Sequence, residues 1–271
     1  MKILCSTGAF ITRANGRNHR LIEVIKREIA CDGIEFMMYD SWYDSYQEII
    51  SDIKQMNLYI PVMHVEKSVG ELLASGEVKQ REKAIRLFII NCEMAKALGA
   101  HRLVLHLWNG LISDQYIKRN MEGLACLLSI AKQYELELTI ENVVCNQKDP
   151  LSHWKELRAQ YPEVKFTFDT KMAAFHNQID CIYDSDWDWL WSERHITHLH
   201  LNDYAGEYME WNALKTLHIG EGKIDFLKLF EFIKNKGEIS YVTLEATSVN
   251  KDGSLQLSKM NESINKVRSL L

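Results

Sequence analysis

With 271 residues, 46% of them hydrophobic and 25% charged, the chain has the composition of a globular protein able to bury a large core. A formal net charge of −5 argues against a broad nucleic-acid or anionic-membrane surface, though a local basic patch stays open. No apolar run approaches the ~20 residues of a membrane helix. The opening "MKILCSTGAFITR" has too short an apolar stretch for a signal peptide. Cys5, Cys31, Cys92, Cys126, Cys145 and Cys181 form no CxxC pair and read as reduced packing residues, not as disulfides or a zinc cluster. A cytoplasmic protein without nucleic-acid or membrane partners is expected.

Strand-like runs lie near 2–6, 32–36, 60–65, 102–107, 137–141, 165–169, 196–202 and 241–246. Between them Leu21, Ile22, Ile25 and Ile29 recur at helical spacing, as do Ile117, Met121, Leu124 and Leu128, and again Phe226, Leu229, Phe230 and Ile233. "GEGKIDF" puts glycines in the turn before that last set, and Leu255 to Leu271 reads as a final helix. Strands alternating with helices in a chain of this length predict an α/β protein, a (β/α)8 barrel, as a single domain over 1–271. Only three prolines occur and no Pro/Gly/Ser linker offers a boundary. A doubly wound open sheet is the alternative, but the first strand–helix junction has no GxGxxG.

Strand parity points to a shared site. In "LTIE", "FTFD" and "VTLE" the apolar residues share one face, and Glu141, Asp169 and Glu245 fall on the other, at the C-terminal end. "THLHLND" places His198, His200 and Asn202 on that inner face, and "GIEF", "VMH" and "LVLH" add Glu35, His64 and His106. The C-terminal end of barrel strands is where active sites are built. So many carboxylates in one mouth cannot stay ionised without a cation to offset their repulsion. Glu141, Asp169, His200 and Glu245 supply three carboxylates and one imidazole, a donor set that leans towards Mn²⁺, Mg²⁺, Co²⁺ or Fe²⁺ over structural zinc. Singly, a strand-end glutamate reads as a solvated rim residue, and His64 or His106 as a hydrogen-bonded core histidine. His198, one pair deeper than His200, reads as structural. Four strands matched in parity and position favour a metal over solvation.

In the order "STGAF", "DGIEF", "LVLH", "TIEN", "TFDT", "HLND", "IGEGKIDF" and "TLEA", the whole chain resembles the xylose-isomerase-like TIM barrels, a family of sugar isomerases and epimerases, keto-polyol dehydratases and AP endonucleases. The resemblance implies one divalent ion, often manganese, with zinc also admitted, held by Glu141, Asp169, His200 and Glu245. It implies that Glu141 and Glu245 are also the acid–base pair, on opposite faces of a small carbohydrate substrate, in a chain that acts alone or as a homo-oligomer. Proton transfer beside a carbonyl passes through an enediolate, and two opposed bases suit epimerisation while one shuttling base suits isomerisation. A dehydratase of inosose or dehydroshikimate would use the same groups.

Two departures stand out. The family often has His three residues after the strand-six Asp, where this chain has Met172, and an Arg after "HLND", where 204–216 has none. Lys171 is a candidate for the missing polar contact, with a solvated loop lysine the plain alternative. The AP-endonuclease branch needs that His and an Asp-x-His pair, whose places hold Leu214 and Thr216, although His64 and His106 match two of its ligands. Expected substrate contacts are Glu35, His64, His106, Trp108, Lys171, Asn202 and Asp203. Phe10, Tyr39, Trp42 and Trp211 would join Trp108 in walling the site, or would simply pack in the core.

Overall fold

The computed structural model describes residues 1–236 and 239–271. In chain order the elements are β1 (Lys2–Ser6), α1 (Leu21–Glu28), β2 (Gly33–Met37), α2 (Tyr46–Gln55), β3 (Val62–His64), α3 (Ser68–Ala74), α4 (Val78–Leu98) and β4 (Arg102–Leu105). There follow α5 (Ile117–Gln133), β5 (Glu137–Glu141), α6 (Pro150–Gln160), β6 (Lys165–Asp169), α7 (Thr170–Phe175), α8 (Trp189–Ser192), β7 (Ile196–Leu201), α9 (Phe226–Lys236), β8 (Tyr241–Leu244) and α10 (Leu257–Leu270). The eight strands close into a barrel in sequence order, the (β/α)8 architecture that the alternation predicts. By internal contacts the chain divides into two compact units, Met1–Glu35 with Phe166–Leu271, and Phe36–Lys165.

In the first unit β1 pairs in parallel with the start of β2 and with β8, and β7 joins β6 to β8. The register sets Asp169 beside His200, and His200 beside Thr243. Ile3, Phe166, Phe168, Leu199, Leu201, Val242 and Leu244 are all fully buried, as expected for parallel strands covered on both faces. Met260, Ile264 and Val267 form the buried stripe of α10, which lies against β1, β8 and α9.

In the second unit β3, β4 and β5 pair in parallel. A Cβ added at Gly70 would come within 2.1 Å of the His106 carbonyl, so only glycine lets α3 dock on the end of β4. Asn120 Nδ2 donates to the carbonyls of Gly70 and Leu107 at 2.8 and 2.6 Å and holds that contact. The helix α6 starts where Asp149 accepts the Ser152 N–H, with Pro150 in its first turn.

Asp114 anchors the loop before α6. It accepts backbone N–H groups from Asn146, Gln147 and Lys148 at 2.8 to 2.9 Å and faces His153 Nε2 at 3.0 Å. Burial alone would raise the carboxyl, but His153 and the three amides outweigh it and lower it from the ordinary 3.8 to about 2. A depressed carboxylate stabilises the fold above its unfolded value, and that contribution is lost as pH falls through the folded one. Asp114→Ala is therefore expected to cost about 2–4 kcal/mol at neutral pH, since it strands the buried His153 ring and removes the acceptor of three backbone N–H groups. Melting temperatures of wild type and variant should converge as pH falls from about 4 towards 2. A gap that persists undiminished through that window would show that the ionised carboxylate is not the anchor.

Candidate active site

The strand ends of the first unit gather Asp169, His200 and Glu245, each offering a ligand atom, and the three atoms lie within 4.8 Å of one another. Asp169 and His200 are fully buried, and the Glu245 side chain is 13% exposed. Asp169 works in two directions. Its Oδ1 accepts the Met172 N–H at 2.8 Å, capping α7, and its Oδ2 accepts Asn202 Nδ2 at 2.8 Å. The same amide nitrogen lies 3.3 Å from Glu245 Oε2, so Asn202 straps the two carboxylates together. Asn202 Oδ1 is buried with no hydrogen-bond partner among the described residues. His200 lies between two carboxylates, with Nε2 at 3.0 Å from Glu35 Oε1 and Nδ1 at 3.4 Å from Glu245 Oε2. Two carboxylates, an imidazole and an orphaned amide oxygen form an acceptor-rich pocket that suits a divalent cation.

The second unit brings together His64, His106 and Glu141, all buried and also with ligand atoms within 4.8 Å. His64 Nδ1 faces the Val65 carbonyl at 2.8 Å. His106 Nδ1 faces Asn109 Oδ1 at 3.1 Å, and Asn109 donates its amide to Glu71 at 2.7 Å. Both Nδ1 atoms therefore face oxygen acceptors, and both Nε2 atoms face Glu141 Oε2, at 3.3 and 2.7 Å. Burial pushes the His106 ring down to about 4, against the pull of Glu141. At 2.7 Å the Glu141 carboxylate accepts from His106 Nε2, which places the proton of the neutral ring on that nitrogen. Such a group suits a metal ion, or the hydroxyl of a polyol.

The other expected contacts fall in varied places. Asn202 is the strap between Asp169 and Glu245, and Lys171 is 93% buried in the first turn of α7, not a solvated loop residue. Glu35 is fully buried against His200. Trp108 is 1% exposed, donates its indole N–H to the Val143 carbonyl at 2.8 Å and packs on His153. Asp203 accepts backbone N–H groups from Tyr204, Gly220, Gly222 and Ile224. A Cβ at Gly222 would meet Asp203 Oδ1 at 2.4 Å, so the "GEG" turn is shaped around this carboxylate. Phe10 and Trp42 are core residues, Tyr39 packs edge-on to Trp42, and Trp211 is half-exposed against Phe175. His198 is fully buried with Nε2 at 2.8 Å from Thr243 Oγ1. The Asp114–His153 pair and the Asn109–Glu71 pair had no local sequence signal. A separate cavity of about 460 Å³ includes Tyr183, Tyr204, Lys223 and Lys228, but both lysines are already paired, with Glu207 and Asp180.

A closed barrel of eight strands alternating with helices defines a (β/α)8 protein, and acids and imidazoles at its strand ends form candidate metal-binding groups. The chain belongs to the xylose isomerase-like TIM barrel family, whose profile matches residues 25–269. Similar solved structures include a D-tagatose 3-epimerase-like protein, at 18% identity and a TM-score of 0.71, covering 100% of this chain and 97% of that one. The IOLI protein with a bound zinc atom has 15% identity and a TM-score of 0.74, covering 100% and 98%. The 3-keto-D-glucoside 4-epimerase from E. coli has 17% identity and a TM-score of 0.68, covering 99% of each chain. At these identities the likeness establishes the fold. No curated protein matches the sequence. Among the described residues, no helix is long and apolar enough to cross a membrane.

Proposed function

We propose that the chain, as one domain over 1–271, is an epimerase or isomerase of a small sugar, sugar phosphate or polyol, with Glu141, Asp169, His200 and Glu245 holding one divalent ion, Mn²⁺ first, then Mg²⁺, Co²⁺, Fe²⁺ or Zn²⁺. The observation that carries this is the buried Asp169–His200–Glu245 group strapped by Asn202, whose own oxygen lacks a partner among the described residues. Glu141 holds the matching strand-end position on β5. Family membership supports the reading, as do neighbours in fold that are sugar epimerases and one that carries zinc. Cysteines that form no disulfide among the described residues support a reducing, cytoplasmic setting.

When bound, the ion supplies Lewis-acid stabilisation of negative charge developing on the sugar oxygens. One of Glu141 and Glu245 removes the proton from the carbon beside the carbonyl, and the other returns one from the opposite face. His64, His106 and Lys171 contact substrate oxygens. Screening ketoses, keto-inositols and dehydroshikimate with the manganese-loaded protein tests the assignment. Loss of water from a keto-polyol without isomerisation of any ketose would make it a dehydratase.

The His64–His106–Glu141 group favours a second reading, a multi-metal nuclease. Met172, Leu214 and Thr216 argue against it; the Met172 N–H is bonded to Asp169, and the Thr216 hydroxyl to Thr247 at 2.6 Å. Zinc-loaded protein is expected to leave an abasic duplex intact. Strand scission that disappears in Glu245→Gln would overturn the epimerase assignment.

A further inference from the structure

We infer that Glu35 is a positioning residue, which keeps the His200 proton on Nε2 and so turns the Nδ1 lone pair towards Glu245 and Asp169. What that lone pair binds rests on the metal reading above; the tautomer itself does not. Glu35 is fully buried in the middle of β2, with both oxygens against His200 Nε2, at 3.0 and 3.2 Å. Its Oε2 accepts the Thr243 hydroxyl at 2.7 Å. A hydroxyl that donates to Glu35 accepts from its other neighbour, and His198 Nε2 stands there at 2.8 Å. The chain of donors thus runs from His198 through Thr243 to Glu35, and from His200 to the same carboxylate.

An ionised carboxylate can only accept hydrogen bonds, so a ring nitrogen facing it must be N–H. His200 Nε2 faces Glu35, and Nδ1 lies towards Glu245 in the group that also holds Asp169. A neutral ring has one proton to share, and Glu35 meets Nε2 through two oxygens at 3.0 and 3.2 Å, whereas Glu245 stands 3.4 Å from Nδ1. The proton therefore stays on Nε2, and Nδ1 is left bare in a buried group where Asp169 and Glu245 also offer oxygens. A carboxylate behind an imidazole is a general device for fixing ring orientation and raising ligand basicity. On this account Glu35 does not touch substrate; it acts through His200.

Two measurements decide it. In metal-free wild type, ¹⁵N–¹H spectra of histidine-labelled protein should show His200 protonated on Nε2 only. In Glu35→Leu the proton should move to Nδ1, and Mn²⁺ affinity should fall by about 10- to 100-fold. Glu35→Gln, which keeps an oxygen for the Nε2–H, should recover part of that loss. A wild-type His200 protonated on Nδ1, or a folded Glu35→Leu binding Mn²⁺ as tightly as wild type, would overturn the inference. If wild type binds no Mn²⁺, the metal reading falls, and the tautomer in wild type and Glu35→Leu still decides the role of Glu35. The wild-type spectrum needs no variant, so poor folding of Glu35→Leu leaves the test intact.

Discussion

Glutamine at position 141 or 245 should lower turnover by on the order of 10²-fold or more, with substrate affinity changing less. Each glutamate has two jobs on this account, ligation and proton transfer, and glutamine keeps an oxygen while removing the base. The surroundings make the substitutions mild for the fold. Glu141 Oε2 stands 2.7 Å from His106 Nε2, and the glutamine oxygen can still accept from that ring. At 245 the glutamine oxygen can still accept from Asn202 Nδ2, now at 3.3 Å from Glu245 Oε2. The thermal midpoint of the metal-free variants should therefore stay near that of wild type. In an epimerase, each variant should lose proton removal from one face, with slow exchange into deuterated water surviving from the other. A one-base isomerase would lose exchange in one variant only. Near-normal turnover in both variants would make the two acids structural.

Asp169→Asn should uncouple metal from stability. Asparagine can still cap α7 through the Met172 N–H, so the metal-free fold should persist. It removes one negative charge from the buried group and leaves an amide to face the donor of Asn202. Mn²⁺ present at 100 times its dissociation constant should stabilise wild type by about 2.7 kcal/mol, because it binds only the folded state. That increment should vanish in Asp169→Asn at the same Mn²⁺ concentration, together with turnover. An equal manganese-induced shift in both proteins would remove Asp169 from the ligand set.

The strands were legible because their signal is local. "ELTIE" and "KFTFD" span the observed β5 and β6, where apolar alternation runs straight into an acid. At β4 and β8 the expected strands run long: the ladder stops at Leu105 and Leu244, so His106 and Glu245 stand just past the last paired residue. Parity told which face a side chain takes, but not its depth. Glu35 and Glu245 share the inner face by pattern, yet Glu35 is sealed behind His200 while Glu245 keeps some exposure. Asp203 in "HLND" looked like a mouth residue because its partners, the amides of Gly220, Gly222 and Ile224, lie too far along the chain for any local pattern. The same distance hides Asp114 and His153, 39 residues apart. Trp108 shows a further limit, since no local pattern could show that its indole N–H is held by the Val143 carbonyl, 35 residues on.

The most direct test of the central claim is solvent exchange. A ketohexose such as D-tagatose or D-allulose is incubated in deuterated water with manganese-loaded protein, and deuterium at the carbon beside the carbonyl is followed. Members of the broader polyol class are run in parallel. The account predicts incorporation on at least one member, together with its epimer or isomer, abolished by chelation and restored by Mn²⁺. Incorporation that continues unchanged in the chelated protein, or none on any member with the metal bound, would contradict it.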